Sequence, residues 1–594
     1  MMSAAAAMTA VASDVPDPLA ETPRYRGWDV VSFDVRGLEP TLADDLRIGL
    51  ALNGRRTLFR TRRPPLFRRT LADDLQRARA FTARMGYPWA RFRVVFVPDR
   101  KGGKVGVILE VAPGPAVVVE AVSVSGVPDH LVSDTVANGA PLAVGRRFTE
   151  PDLEEVLASL QASLAEGGYP KAVVTPNVTM RDSAHTSVAI EVRSGPRCVF
   201  GEIRQNGAPD DLVPLVMKNV GWASGRRYSP TTLREARRNL RELDLFRRID
   251  VFVGEPGDGA VPLVVELVPR KPRTAEIDLG YWTDDFLRVG ARWRHRNLLG
   301  GGRGTELKGT LSRFRRDSAL SVWWPSLFGP RTRLTSRLYY AQEREEGYDL
   351  DNAQAELWGS KLMGRSGRLQ AGVTVADVNL TVRTSDPLSF QAQSGLLTSL
   401  HLRANLDDVD DPINPTSGTS WSGGVEWSPP WFPSDNSFAL GTLKVVGYRG
   451  FGPSVLASRF EVGVAGPLGD SLDLLPNKRF FAGGSSTMRG TRRRMLGALD
   501  RDGSPVGGEA MLLLSTEWRQ PLKGRIGGVI FVDAGNVWRR TAVASWQDLK
   551  YAVGPGLMVA TPVGPVRADA GFALGARPRG EPGFVLHVSV GHPF

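Results

Sequence analysis

At Pro272 the chain changes periodicity, and that change limits its fold more than any other feature. Before it, amphipathic helical stretches alternate with short strands. After it the helical period is gone, and residues 273–594 read as strands punctuated by Gly, Pro, Asn and Asp turns. Polar and apolar residues alternate there, as in a sheet with two unlike faces. Leu512, Leu514, Thr516 and Trp518 share one side, opposite Leu513, Ser515, Glu517 and Arg519. The next segment sets Ile530, Val532 and Ala534 against Phe531, Asp533 and Gly535. A later one sets Val566, Ala568, Ala570 and Phe572 against Arg567, Asp569 and Gly571. Two folds accommodate the pattern. A soluble sandwich turns its charges out to water. A membrane barrel turns apolar residues to lipid and charges to a wet lumen. Alternation alone leaves both open.

The end of the chain favours the barrel. Phe584, Leu586, Val588, Val590 and Phe594 form one face, with His587 and Ser589 on the other, which suits a closing strand with a C-terminal aromatic. Pro593 fits only at its margin, because it donates no ladder hydrogen bond. Trp323-Trp324 and the stretch Trp427 to Phe432 suit interfacial girdles. No apolar run reaches the 18 residues or so of a membrane helix, which does not argue against strands that hide apolar residues at alternate positions. At roughly 20 residues per strand and connector, about 16 strands fit, an even number as bacterial barrels require.

The first half is a repeat. Three β-rich openings carry a similar turn, Gly37-Leu38-Glu39-Pro40, Gly126-Val127-Pro128 and Gly207-Ala208-Pro209. Two helical stretches follow in each, the second amphipathic: Leu71 to Met85, Leu153 to Ala165, Leu233 to Leu243. These end at Gly86-Tyr87-Pro88, Gly168-Tyr169-Pro170 and Leu245-Phe246-Arg247, and each unit closes with a strand containing Glu110, Glu191 or Glu266. The unit is therefore a β-α-α-β-β module. One sheet edge of such a module has unpaired N–H and C=O groups and can accept an extended strand, unless the edge is covered and the module is a spacer. The boundaries expected are 28–115, 116–196 and 197–272 for the modules and 273–594 for the barrel, after an extension at 1–27. Within that extension Ala4 to Ala12 resembles the end of a secretory signal, with Ala10-Val11-Ala12 as its cleavage site.

The net charge of +12 comes from arginines spread along the chain, with clusters at Arg60 to Arg69 and Arg492 to Arg494. Such spreading does not suit a nucleic-acid-binding face. It fits solvated surfaces, with contacts to lipid phosphates or an acidic partner as the alternative. Cys198 is the single cysteine, so no intrachain disulfide exists. Catalytic chemistry is not apparent. The six histidines lack metal-ligand spacing, so neither a metal nor a cofactor is expected. Gly300 to Gly304 lacks the Gly-Lys-Ser/Thr end of a phosphate loop and reads as a hairpin turn. Asp407, Asp408, Asp410 and Asp411 read as a solvated turn, with Ca²⁺ ligation the lesser alternative.

Residues 479–490, Arg-Phe-Phe-Ala-Gly-Gly-Ser-Ser-Thr-Met-Arg-Gly, resemble the sixth extracellular loop of the outer-membrane assembly-factor barrels. That superfamily includes BamA, TamA and the two-partner-secretion transporters. Its loop tip is an aliphatic residue, Arg, Gly and an aromatic; here it reads Met488-Arg489-Gly490, with Thr491 in place of the aromatic. Asp411 to Gly418, Phe531 to Trp538 and Thr561 to Asp569 resemble further family signatures in the expected order. The front modules are similar to the family's POTRA domains, and three of them before one surface-antigen-type barrel look most like TamA.

The resemblance implies an α+β periplasmic half, an outer-membrane barrel and a role in inserting or secreting client proteins such as autotransporters. It implies that Arg489 anchors the loop on two lumen acids, and the matching positions are Glu517 and Asp533. It also implies a lateral seam between a first strand bearing Ala275, Ile277, Leu279 and Tyr281 and a last one bearing Leu586, Val588, Val590 and Phe594. The partners implied are unfolded outer-membrane or secreted clients, an inner-membrane-anchored TamB-like protein and outer-membrane lipids, with no nucleic acid. Two rivals stay open: a two-partner-secretion transporter exporting one protein through the lumen, and a passive porin or adhesin.

Overall fold

The computed structural model describes residues 17–594, apart from 57–60, 100–101, 132–141, 256, 258, 387–389, 562–563, 576–581 and 591–594. The signal-like stretch Ala4 to Ala12, Arg60 and Phe594 thus lie outside the described residues. By compactness the chain forms two units. One consists of residues 1–202, 224–233 and 253–262; the other of 203–223, 234–252 and 263–594, so the third module contributes to both.

Three small α/β modules precede the barrel. The first sheet has Lys104–Ala112 at its centre, parallel to Asp29–Arg36 and antiparallel to Arg91–Pro98. The second repeats this with His185–Arg193 between Val118–Ser125 and Val173–Met180. The third places Ala260–Pro269 between Val199–Asn206 and Phe246–Val253. The amphipathic helices are Arg68–Arg84, Glu150–Glu166 and Pro230–Arg241. Thr149 caps the second of these, its Oγ1 accepting from the Asp152 N–H at 3.1 Å.

The glycines of the three opening turns share one cause. Gly37, Gly126 and Gly207 have φ of +91°, +79° and +83°. A Cβ on each would come within 2.0, 2.1 and 2.1 Å of a carbonyl oxygen on the module's central strand, at Val111, Val192 and Leu267. Only glycine fits so close an approach at positive φ.

The module order expected from the sequence needs correction in the first copy. A two-stranded ribbon, Arg55–Arg56 with Thr61–Arg62, stands between its two helices. The turn leading to it is held by buried Asp74, which accepts from the N–H groups of Ala51 and Leu52, each at 2.9 Å. Nothing periodic in the sequence marks so short a ribbon. The segment that would hold the second module's first helix lies outside the described residues.

From Arg273 the chain forms one sheet of 16 strands, each antiparallel to the next in sequence. They are β1 (Arg273–Trp282), β2 (Phe286–His295), β3 (Gly304–Leu311), β4 (Arg315–Pro325), β5 (Thr332–Arg344), β6 (Tyr348–Met363), β7 (Gly367–Val382) and β8 (Gly395–Val409). There follow β9 (Gly418–Ser428), β10 (Phe438–Phe451), β11 (Ser454–Pro467), β12 (Ala510–Lys523), β13 (Ile526–Trp538), β14 (Lys550–Val559), β15 (Val566–Leu574) and β16 (Phe584–Val590). A single sheet in sequence order excludes the sandwich. Its outer face carries exposed Ile277, Leu338, Leu402, Val425, Ile530 and Leu557, while Arg459, Glu517, Asp533, Arg567 and Asp569 are buried on the inner one. Apolar outside and charged inside is the polarity lipid requires.

The tryptophan girdle is only partly as expected. Trp324 shares the outward face of Leu320, but Trp323 faces inward, with the guanidiniums of Arg294 and Arg333 5.9 and 5.7 Å from its ring. Trp431 is exposed and in edge-to-face contact with Trp427. The acidic turn between β8 and β9 consumes its own carboxylate. Asp410 accepts from the N–H groups of Thr416 and Ser417, and these bonds, with one from the Thr416 hydroxyl, hold its pKa well below the usual carboxylate range.

Candidate functional site: the loop anchor and the seam

Between β11 and β12 the chain folds back into the barrel. Leu474, Leu475, Phe480, Ala482, Met488, Leu496 and Val506 of this loop pack with Val378, Leu397, Leu513 and Val537 of the wall in one apolar cluster. Burial of that size holds the loop in place, but apolar contact is non-directional. Register comes from the charges at the tip.

Arg489 is 2% exposed. Its backbone N–H and Nε both donate to Asp533 Oδ2, at 3.0 and 2.9 Å, and Nη2 donates to Asp533 Oδ1 at 2.7 Å. Nη1 donates to Glu517 Oε2 at 3.0 Å, and Nη2 also reaches Ser515 Oγ at 3.1 Å. The guanidinium lies 3.6 Å from the centre of the Phe531 ring. Only a planar fork of donors can serve a β12 acid, a β13 acid and an aromatic face at once. Gly490 follows with φ +93°, its backbone against Gly571 of β15. A Cβ on Gly571 would sit 2.2 Å from the Gly490 nitrogen. The Arg-Gly pair thus combines a charged anchor with a backbone thin enough to touch the wall.

Sequence reasoning missed half of this cluster. Arg567 donates to both Glu517 oxygens, each at 3.1 Å, and to Asp569 Oδ1 at 3.2 Å. Arg519 Nε donates to Glu517 Oε1 at 2.6 Å. Arg489, Arg519 and Arg567 thus oppose Glu517, Asp533 and Asp569, three charges of each sign in one buried network. The signal was present, since alternation already put Ser515, Arg519, Arg567 and Asp569 on the inner face. Farther along the loop, Arg493 makes a bidentate pair with Glu345 at 2.7 and 2.8 Å, and the Arg459 guanidinium on β11 donates to the Ser486 and Thr487 carbonyls.

The seam is built differently. β1 and β16 are the two ends of the sheet order, and among the described residues no ladder joins them. Two hydrogen bonds link them among the described residues. Thr283, just past β1, donates its N–H to the Val588 carbonyl at 3.3 Å, and the Val588 N–H donates to Thr283 Oγ1 at 3.3 Å. By contrast β1 and β2 pair over their whole length, from Arg273 opposite His295 to Trp282 opposite Phe286. Ile277, Leu279 and Tyr281 are exposed on the outer face of β1, Ala275 is exposed with them, and Leu586 and Val590 are exposed on β16. Val588 is half-buried, and Phe594 lies outside the described residues.

One residue touches both the seam and the loop tip. Asp284, in the turn after β1, accepts from the Ser485 N–H at 2.6 Å through Oδ2, and its Oδ1 lies 3.4 Å from His587 Nδ1 on β16. Burial raises its pKa, but the polar contacts to His587 and Ser485 outweigh this and hold it below the usual value. His587 in turn stands opposite Asp569 across β15. A turn residue has no periodic signature, and nothing in the sequence pointed to Asp284.

The Omp85 superfamily domain matches residues 297–594, just over half of the chain. The chain belongs to the Omp85 superfamily. It is accordingly an outer-membrane β-barrel of a family that serves protein insertion or secretion. In fold it is similar to BamA from Haemophilus ducreyi lacking POTRA domains 1–3, with a TM-score of 0.61 and 18% identity, covering 80% of this chain and 99% of that one. CdiB from Escherichia coli gives a TM-score of 0.48 at 16% identity over 93% of this chain and 99% of its own.

Proposed function

We propose that this Omp85 protein is a TamA-like assembly factor that passes client proteins into or across the outer membrane through the seam between β1 and β16. The observation that carries the reading is the missing ladder at that seam. In lipid an unpaired strand edge leaves N–H and C=O groups unsatisfied, at a cost of several kcal/mol per group. An incoming client strand removes that cost by pairing with β1. The loop anchor at Met488, Arg489 and Gly490, held on Glu517 and Asp533, keeps the neighbouring wall from collapsing while the edge is in use.

In this reading the modules at 28–115, 116–196 and 197–272 are POTRA domains in the periplasm. Their sheet edges receive an extended client by β-augmentation, or an inner-membrane-anchored TamB-like partner. The edge strand Val173–Met180 is the most open of these, with Val173, Val178 and Met180 all exposed. No nucleotide or redox cofactor enters this scheme, since strand exchange is driven by backbone pairing and burial. The test is a cysteine pair, Thr283→Cys with Val588→Cys, in the native background, where Cys198 is buried. Closing the bond should abolish client insertion into vesicles and reduction should restore it. Insertion that proceeds through a locked seam sinks the gate.

A further inference from the structure

The lumen-facing positions of β16 are Val585, His587 and Ser589, and His587 is poorly satisfied there. Its side chain is 1% exposed, yet neither ring nitrogen has a hydrogen-bond partner. Two carboxylates stand near it, and it has hydrogen-bond geometry to neither. Asp569, opposite it on β15, is taken by Arg567. Asp284, in the turn after β1, lies 3.4 Å away through Oδ1, while its Oδ2 accepts from the Ser485 N–H. A buried polar group left unbonded is unfavourable. His587 therefore holds its place weakly against any side chain that bonds Asp284 fully.

Asp284 also lines a cavity of about 350 Å³ between the loop tip and β2 to β4. Thr310 of β3 is 5% exposed, and its Oγ1 and Asp285 Oδ1 are buried there with no partner. Most guanidiniums around the cavity are matched, Arg315 by Asp317 and Glu343, Arg493 and Arg494 by Glu345. That leaves one guanidinium, Arg288, to two carboxylates, Asp284 and Asp285. A client strand that bonds Thr283 as Val588 does brings its own lumen-facing residue to Asp284, because barrel strands alternate apolar outside and polar inside. Resting on the seam reading above, we propose that Asp284 selects clients by charge. It takes a lysine or arginine on the lumen face of the incoming strand, with Asp285 Oδ1 and Thr310 Oγ1 as further acceptors, and His587 is the resident stand-in. A long basic side chain reaches past the place of the imidazole and keeps its charge at neutral pH. Its charge-assisted bonds are about twice as strong as neutral ones.

The experiment uses the full chain in a neutral detergent and fluorescent synthetic strands of alternating apolar and polar residues. The strands come as twins, with lysine in one and glutamate in the other at a single lumen-facing position. That position is moved along the peptide, so the register is found rather than assumed. Fluorescence anisotropy reads affinity. Where the varied residue meets Asp284, lysine should bind about tenfold tighter than glutamate, and added salt should shrink the difference. Asp284→Asn keeps an oxygen for the Ser485 N–H and should bring the ratio close to one. His587→Ala vacates the stand-in's place and should tighten both twins alike, with the ratio intact. Equal affinity of the twins at every position, or a lysine preference that survives Asp284→Asn, overturns the charge selection. Unchanged affinities in His587→Ala remove the stand-in. Failure of every peptide to bind sinks the seam reading itself, and the selection with it.

Discussion

The loop anchor and the seam lie on the same lumen wall, and they are held in opposite ways. Around Arg489, three guanidiniums and three carboxylates are almost fully buried and bonded to one another. At the seam, among the described residues, Thr283 just past β1 and Val588 of β16 share two 3.3 Å hydrogen bonds, and Asp284 faces His587 at 3.4 Å. A buried charge network is rigid, because every partner removed leaves another charge stranded in low dielectric. A pair of marginal hydrogen bonds, worth about 1 kcal/mol each, opens readily. In the proposed gate the loop is therefore the fixed part and the edge the yielding one.

The largest effect should come from removing that difference. A closed Thr283→Cys/Val588→Cys disulfide makes the seam as fixed as the anchor, and client insertion should fall to background while the barrel melts at a higher temperature. Next is the converse change. Arg489→Ala strands Asp533, while Glu517 keeps Arg519 and Arg567, at a cost of about 3–5 kcal/mol, less where water enters. Loop residues 479–490 should become sensitive to added protease and client insertion should drop; a protected loop with full activity removes the anchor from the account. A third change cuts the network without unbalancing its charge. Ser515→Ala deletes a hydroxyl that donates to Asp533 Oδ1 at 2.6 Å and accepts from Arg489, and should cost about 1–2 kcal/mol. A cycle combining it with Arg489→Ala should be strongly non-additive, and simple addition of the two effects argues against one coupled network.

How much of this was legible in the sequence depends on the range of each interaction. Alternation is local, so the inner face of β12, β13 and β15 could be written down residue by residue, including Glu517, Asp533 and Arg567. The repeat was legible because the same steric demand recurs at Gly37, Gly126 and Gly207, each against a carbonyl of its own sheet. The third module shows where this stops. Asp244 takes the place of Gly86 and Gly168, with φ +57°, and its carboxylate receives Arg270 at 2.6 Å and Arg296 at 2.9 Å. A residue strained for its partners cannot be read from its own module. The inward Trp323 and the ribbon after Gly54 were hidden for the same reason: register and tertiary partners decide them, not period.

Asp284 gives the smallest effect and the sharpest comparison, because it belongs to both regions. Its carboxylate receives the loop tip at Ser485 and faces His587 on β16, and His587 stands opposite Asp569, which belongs to the anchor network. Asp284→Asn keeps an oxygen for the Ser485 N–H but removes the charge facing His587, so the loss should be about 1 kcal/mol, confined to the seam. Spin labels on β1 and β16 should show a larger open fraction at neutral pH, with protease resistance of the loop unchanged. The pH dependence has a definite sign. A carboxyl whose folded pKa is lowered stabilises the closed seam above its ordinary unfolded value, and that contribution disappears as pH falls through the lowered folded value. The native seam should therefore loosen in acid, and the asparagine variant should lose that part of the response. If loop and seam loosen together in Asp284→Asn, the two regions form a single rigid unit, and the division between a fixed anchor and a yielding edge is wrong.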